Sequence, residues 1–449
     1  MNGRWNWRKL GIAAFAAAML VAGCGGQSNG GQAGGGSAEG SGDAAGETAK
    51  AEKVELTMQA WGNPEEIKVY QRALDAFTEK NPNITVKLVP VPGDQYEQKL
   101  LTQLQGSQGP DVFYAYEPTI PKLIEADQIQ PLTEFLSSPE SYVAAGDFPD
   151  GLWGPAKRDG ELYAVTPDAN PMVMYYNKKV FQEAGVKTPQ EYYDEGNWNW
   201  DAFRQVTSEL KAAGKEGYIL ENWWAHWYSW IWSNGGQMFD DQGNFVLSGD
   251  EKAKEAIAFL EQLIQDGNAV YAGSLPKGQG TDAMFMSNQV GILAAGRWLE
   301  PLFTKNESLE FDYIYWPSNT GKNEPVGVPV AYFAVNKNSE HVEEAMKFVS
   351  FYVSAEGQEI RLADGGNAMA AIAAADEAIM STATVEHSEF LSEARSNGRT
   401  HGSPQAYDAQ FPGLTSEIGE QFDLMMLGKQ SAADTVAKLE EIVSSYIKK

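Results

Sequence analysis

The chain has 449 residues, with 34 Lys and Arg against 61 Asp and Glu, a formal net charge of −27. Such a length exceeds one typical domain and points to two or three. The charge argues against a nucleic-acid role, because phosphate binding needs clustered Lys and Arg and no basic stripe occurs; the acidic balance reads as a solvated surface that keeps the protein soluble.

Arg4, Arg8 and Lys9 precede an apolar run from Leu10 to Gly23, and no acidic residue occurs before Glu39. This is the layout of a secretory signal over residues 1–23. Removing three positive and no negative charges with it moves the formal net charge from −27 to −30. Val21-Ala22-Gly23 lead into Cys24, the sole cysteine, so no internal disulfide is available. Residues 24–52 are dominated by Gly, Ser, Ala and Gln, a composition that buries too little apolar surface to order itself, and they read as a tether. A Gly-rich coil of about 27 residues has an end-to-end distance on the order of 30 Å. After the signal, no apolar run approaches the ~20 residues that a spanning helix needs.

From Lys53 the pattern becomes α/β. Val54 to Ala60 alternates as a strand and ends at Trp61-Gly62. Asn63-Pro64-Glu65-Glu66 opens a helix: Asn caps free amides, Pro suits the first position, and the acids suit the positive end of the dipole. Ile67, Tyr70, Leu74 and Phe77 continue it to a stop at Asn81-Pro82. A strand (Ile84 to Val89), a helix (Tyr96 to Gln105) and a strand (Asp111 to Ala115) complete a βαβαβ order. Ligands of open α/β sheets bind beyond the carboxyl ends of the strands, which selects Trp61, Tyr114, Tyr116 and Glu117.

Gly160 to Pro167 reads as a turn and an extended segment, followed by Asp168-Ala169-Asn170-Pro171, a strand over Met172 to Tyr176 and a helix from Asn177. A Pro-punctuated extended segment between two α/β patterns suits a hinge. Another helix begins at Trp198 to Phe203. Glu221 to Gly236 then holds five tryptophans, Tyr228 and His226 in sixteen residues. Each large ring offers roughly 150–250 Å² of contact and each indole keeps an N–H, so the stretch reads as a wall for flat, half-polar ligands. Trp223, Trp227 and Trp230 also recur at helical spacing, which equally describes a buried helix face. Trp223, Trp224, His226 and Trp227 are expected to face the ligand in part, and Trp230 and Trp232 to pack inside. Glu251 to Gln265 is an amphipathic helix, and Gly291 to Ala294 leads to Gly296-Arg297-Trp298. Val326 to Val335 is extended, His341 to Val353 is helical, Gly365-Gly366-Asn367 interrupts, and helical segments run from about Ala375 to Lys449.

In this order and spacing, several segments resemble the family 1 extracellular solute-binding proteins of ABC importers, the group that includes maltodextrin-binding proteins. The segments are Val21 to Cys24, Leu56 to Gly62, Gly109 to Val112, Tyr163 to Lys178, Ser233 to Gly236, Gly296 to Trp298, and Ala345 to Gly357. Val21 to Cys24 also resembles the lipobox of bacterial lipoproteins, implying diacylglycerol on Cys24 and cleavage before it. The resemblance implies a two-lobe, periplasmic-binding-protein-like (type II) α/β fold with a hinge. Lobe one is placed at 53–166 plus 327–364 and lobe two at 167–326 plus 365–449.

By the same resemblance, Tyr114, Tyr116 and Glu117 match the first-lobe sugar contacts, Asp168 an acid just past the hinge, Trp223 to Trp227 a second-lobe acid and aromatic, and Trp298 a stacking Trp. Asn170, His226, Arg297 and Asn367 are expected to supply hydrogen bonds. The chain departs from the pattern with Trp223-Trp224 at the acid's place and with Arg297 beside the stacking Trp; an Arg fork keeps a uronic acid in play. Expected partners are a mono- or oligosaccharide, the membrane through Cys24, and permease subunits with a cytoplasmic ATPase, with no nucleic acid and a monomeric state. The expected location is the outer face of a single-membrane bacterium, with a periplasmic one as the alternative.

Catalysis finds little footing. The four histidines (His226, His341, His387, His401) lack metal spacing, and Cys24 is assigned to lipidation, so no metal and no cofactor are expected. Asp168 with Glu117 or Glu221 keeps a secreted carbohydrate-active enzyme as one alternative. A ligand-sensing receptor without transport is the other.

Overall fold

The computed structural model describes residues 53–149, 152–240, 242–400, 411 and 413–447. The signal, Cys24 and the tether lie outside the described residues, as does His401. Strands β1 (Val54–Ala60), β2 (Ile84–Pro90) and β3 (Val112–Ala115) come first, then a short hairpin of β4 (Lys157–Arg158) and β5 (Glu161–Leu162). They are followed by β6 (Val173–Asn177), β7 (Glu216–Leu220), β8 (Ala269–Tyr271), β9 (Val290–Ala295), β10 (Phe311–Ile314) and β11 (Tyr332–Val335).

Two main sheets result. One has the order β11-β3-β1-β2, with β1 parallel to β2 and β3, and β11 antiparallel to β3. The other has the order β10-β6-β9-β7-β8, with β7 parallel to β8 and β9, and β6 antiparallel to β9 and β10. Each sheet has its own hydrophobic core. Leu56, Phe113, Phe333 and Phe348 belong to the first, and Tyr175, Ile219, Trp230 and Leu293 to the second. The architecture is the two-lobe α/β arrangement expected of a type II binding protein.

The helix Pro64–Lys80 starts as its sequence dictates. Asn63 Oδ1 accepts from the amides of Glu65 and Glu66, and Glu66 Oε2 accepts in turn from Asn63 N–H, which completes a capping box. Asn177 and Asn199 likewise cap Lys178–Ala184 and Trp200–Ala212. The helix predicted from Tyr96 begins earlier, at Gly93 directly after Pro92, whose fixed φ serves a helix entry.

Val326 to Val335, predicted as one extended run, is ladder-paired only over β11. Its upstream half crosses between the sheets: Asn170 N bonds Pro329 O at 3.0 Å, Met172 N bonds Gly327 O at 2.9 Å, and Ala169 bridges both Val330 and Met369. Chain segments around 165–172, 327–333 and 369 therefore form the connection between the lobes. No helix among the described residues is long and apolar enough to cross a membrane.

Candidate ligand-binding cleft

The helix Trp224–Ser233 is bordered on its N-terminal side by the two residues that β7 delivers to its carboxyl end, Glu221 and Asn222. Trp223 is the N-cap, in extended conformation and without a side-chain cap bond, and its half-buried ring turns outward with that of Trp224. A cavity of about 310 Å³ lies here. Trp223, Trp224, Trp227 and Tyr228 line it on the second lobe, Glu97, Tyr116, Glu117 and Lys122 on the first, and Pro329 and Val330 come from the crossing segment. Pro118, Thr119, Thr415, Ser416 and Ile418 complete the lining. Trp61 stacks on Tyr116 with ring centroids 4.1 Å apart at 18° and meets Tyr96 edge-on at 4.9 Å. Trp61 is half-buried and is not among the residues that line this cavity, which it adjoins through Tyr116.

The aromatic run divides as its helical periodicity requires. Trp230 and Trp232 are buried, as expected. Trp227 is also buried, stacked on Phe422 at 4.7 Å and donating from Nε1 to Asn222 Oδ1 at 3.0 Å, so only part of its edge reaches the cavity. His226 is buried with neither ring nitrogen partnered, and burial pushes its pKa down to about 3.

Other predicted contact residues are occupied within the protein. Tyr114 is a core residue rather than an exposed donor: β3 is an interior strand covered on both faces, and the phenol meets Tyr352 Oη at 2.9 Å. Arg297 is 1% exposed and fully engaged. Its Nε and Nη2 donate to Glu300 at 2.9 and 3.2 Å, and its Nη1 donates to the carbonyls of Leu362 and Ala368. That differs from a fork held ready for a ligand carboxylate, because a guanidinium this deep must be paired where it lies.

Asp168 is buried and accepts from Arg361 Nη1 at 2.7 Å and from Asn170 Nδ2 at 3.2 Å. Asn367 is buried, donating to Glu66 Oε1 at 3.3 Å and to Tyr70 Oη at 3.4 Å. These three serve the junction between the lobes. Trp298 remains half-buried, edge-on to Trp223 at 6.0 Å, and its carbonyl accepts from Asn63 Nδ2 at 3.3 Å. Its ring explains Gly296, where an added Cβ would lie 2.1 Å from Trp298 Cζ3.

Sequence reasoning missed Glu66. The residue reads as a helix cap, yet burial raises its pKa to about 7, against the pull of Asn63 N–H and Asn367. Among the described residues, Asp312, Glu386 and His387 are close enough to share a metal. Lys178 Nζ fills that position, 3.0 Å from Asp312 Oδ2 and 2.7 Å from Glu386 Oε2.

Residues 61–359 match the profile of the bacterial extracellular solute-binding proteins. A putative binding protein of Brucella abortus (strain 2308) is 25% identical over 291 residues, 63% of this chain and 67% of its own. The multiple sugar-binding protein of Streptococcus mutans serotype c is 24% identical over 306 residues, 64% of this chain and 69% of its own. In fold, the chain resembles the Listeria monocytogenes ABC substrate-binding protein in complex with cycloalternan, with a TM-score of 0.75 at 21% identity, covering 88% of this chain and 100% of that one.

Proposed function

Because the chain belongs to the bacterial extracellular solute-binding proteins, we propose that it captures a mono- or oligosaccharide by lobe closure and delivers it to the permease pair and ATPase of an ABC importer. The observation that carries this reading is the cavity between the lobes, walled by Trp223 and Trp224 on one side and by Tyr116 and Glu117 on the other. Indole and phenol faces suit the apolar faces of sugar rings, while the acid and the crossing-segment backbone suit hydroxyls. The sugar-binding relatives support the same ligand class. A micromolar sugar corresponds to about −8 kcal/mol, within reach of a few stacked rings and several hydrogen bonds.

Within this reading, lobe one comprises 53–166 plus 327–364 and lobe two 167–326 plus 365–449, hinged at the crossing segments. Trp223, Trp224, Tyr116, Glu117 and Trp298 contact the sugar, and Trp61 acts through Tyr116. Arg297 stays with Glu300, which favours a neutral sugar over a uronic acid. Cys24 carries the lipid anchor, and the tether holds a monomeric body at the extracytoplasmic face.

The test is a thermal-shift panel of maltose, maltotriose, lactose, arabinobiose, glucuronate, peptides and polyamines on the chain without its signal. A true ligand raises the melting temperature by mass action. A sugar is expected to give the largest shift, and Trp224→Ala and Trp298→Ala to reduce it. Shifts from peptides or polyamines alone would sink the carbohydrate reading, and an undiminished shift in both variants would sink the site.

A further inference from the structure

Helix Pro64–Lys80 belongs to lobe one in the assignment above, and Trp298 and Asn367 belong to lobe two. The first turn of the helix bridges them. Asn63 Nδ2 donates to the Trp298 carbonyl at 3.3 Å, and Glu66 Oε1 accepts from Asn367 Nδ2 at 3.3 Å. Glu66 is 7% exposed, and its Oε2 accepts from Asn63 N–H at 2.8 Å. One buried carboxyl therefore holds both residues through which the turn meets the second lobe.

Asn367 suits either charge state of that carboxyl. Its Oδ1 is buried without a hydrogen-bond partner, and its Nδ2 lies 3.4 Å from Tyr70 Oη. Turning the amide by half a rotation exchanges its oxygen and nitrogen. With the carboxylate, Nδ2 donates to Oε1. With the acid, Oε1–H and the Tyr70 hydroxyl both have Oδ1 as acceptor, while Oε2 keeps its bond from Asn63 N–H.

The charges that face Glu66 are already paired with one another. Asp168 of the crossing segment meets Arg361 of helix Ala355–Leu362, and Arg297 meets Glu300 of helix Glu300–Phe303. On Glu66's own helix, Lys68 pairs with Glu65, and Arg72 donates to the carbonyls of Ala363 and Asp364. The other titratable neighbours are the phenols of Tyr70, Tyr116 and Tyr175; burial raises the pKa of each, so all three are neutral. Burial likewise raises the pKa of Glu66 to about 7, and Asp168 adds to the rise.

We propose that Glu66 is a proton-linked latch: closing the lobes packs its carboxyl against Asn367 and takes up one proton from solvent, which couples sugar capture to pH. The proposal rests on the reading of capture by lobe closure above. In the open form the turn parts from Trp298 and Asn367, water reaches the carboxyl, and its pKa returns toward the ordinary 4.5. The closed form then binds the proton more tightly. Closure and sugar affinity are fully favoured below about 4.5, fall as pH rises toward about 7, and level off above it.

The experiment is calorimetric titration of the best-binding sugar among maltose, maltotriose, lactose and arabinobiose into the wild type, Glu66→Gln and Asn367→Leu. Heats measured at pH 6 and pH 7.5 in phosphate and in imidazole, which differ in ionisation enthalpy, give the protons taken up per sugar bound. Affinities are compared at pH 5 and pH 8. The wild type is expected to take up about half to one proton at pH 6 and to bind at least about tenfold more weakly at pH 8 than at pH 5. Glu66→Gln, the neutral isostere, is expected to take up none and to bind equally at both. Asn367→Leu removes a hydrogen bond that favours the carboxylate, so its uptake at pH 7.5 is expected to exceed that of the wild type; it keeps the assignment testable if Glu66→Gln does not fold. Sugar binding without proton uptake in the wild type overturns the latch and leaves the carbohydrate reading standing. So does uptake retained in a folded Glu66→Gln, or unchanged in a folded Asn367→Leu. Binding of none of the sugars at any pH overturns the carbohydrate reading and this proposal with it.

Discussion

Burial disfavours the charged forms of both Glu66 and His226, raising one pKa and lowering the other, and the pH dependence of stability follows with opposite signs. Glu66 rises from the usual 4.5 to about 7, chiefly by desolvation and in small part through Asp168. Its folded pKa lies above its unfolded one, so its contribution is fully present below about 4.5 and is lost as pH rises through about 7. His226 falls from 6.5 to about 3, wholly by desolvation. Its contribution is present above about 6.5 and is lost as pH falls toward 3. At about 1.4 kcal/mol per unit, each amounts to a few kcal/mol at most. Urea unfolding from pH 4 to 8 should show Glu66→Gln gaining on the wild type as pH rises from 4.5 to 7. His226→Phe should gain as pH falls below 6.5. A pH-independent offset in both variants would refute the assignment. Neither shift was legible locally. Asn367, the partner of Glu66, lies 301 positions away, and the rings enclosing His226 include Trp316 from beyond β10.

At the scale of elements, local chemistry did most of the specifying. The first long helix begins where Asn63, Pro64 and Glu66 require, with both bonds of the capping box formed. Asn63→Ala removes the side-chain acceptor for two amides and the bond to the Trp298 carbonyl across the cleft. It should cost about 1 kcal/mol of stability by denaturant titration. A smaller loss, below about 0.3 kcal/mol, would mean that water replaces the cap. Helical periodicity also sorted Trp230 into the core and Trp224 out of it. The extended run from Val326 divided differently, because Pro329 cannot donate to a ladder and the segment before β11 is spent on crossing between lobes.

For the molecule as a whole, two separate cores joined by three crossing segments are suited to hinge motion about those segments, the transition known for periplasmic binding proteins. Small-angle scattering should record a smaller radius of gyration on saturation with the best-binding sugar; an unchanged radius would count against closure. The junction itself is held by the buried Asp168–Arg361 pair at 2.7 Å, with Arg361 over the Tyr352 ring at 4.6 Å. By itself the sequence determined the α/β order, the helix starts, the aromatic wall and the family resemblance, because caps, periodicity and composition act over a few residues. Only the tertiary structure decided which polar groups remain for a ligand. Arg297, Asp168 and Asn367 meet Glu300, Arg361 and Glu66 in the folded interior, and a buried charge or amide must take whatever partner the packing brings.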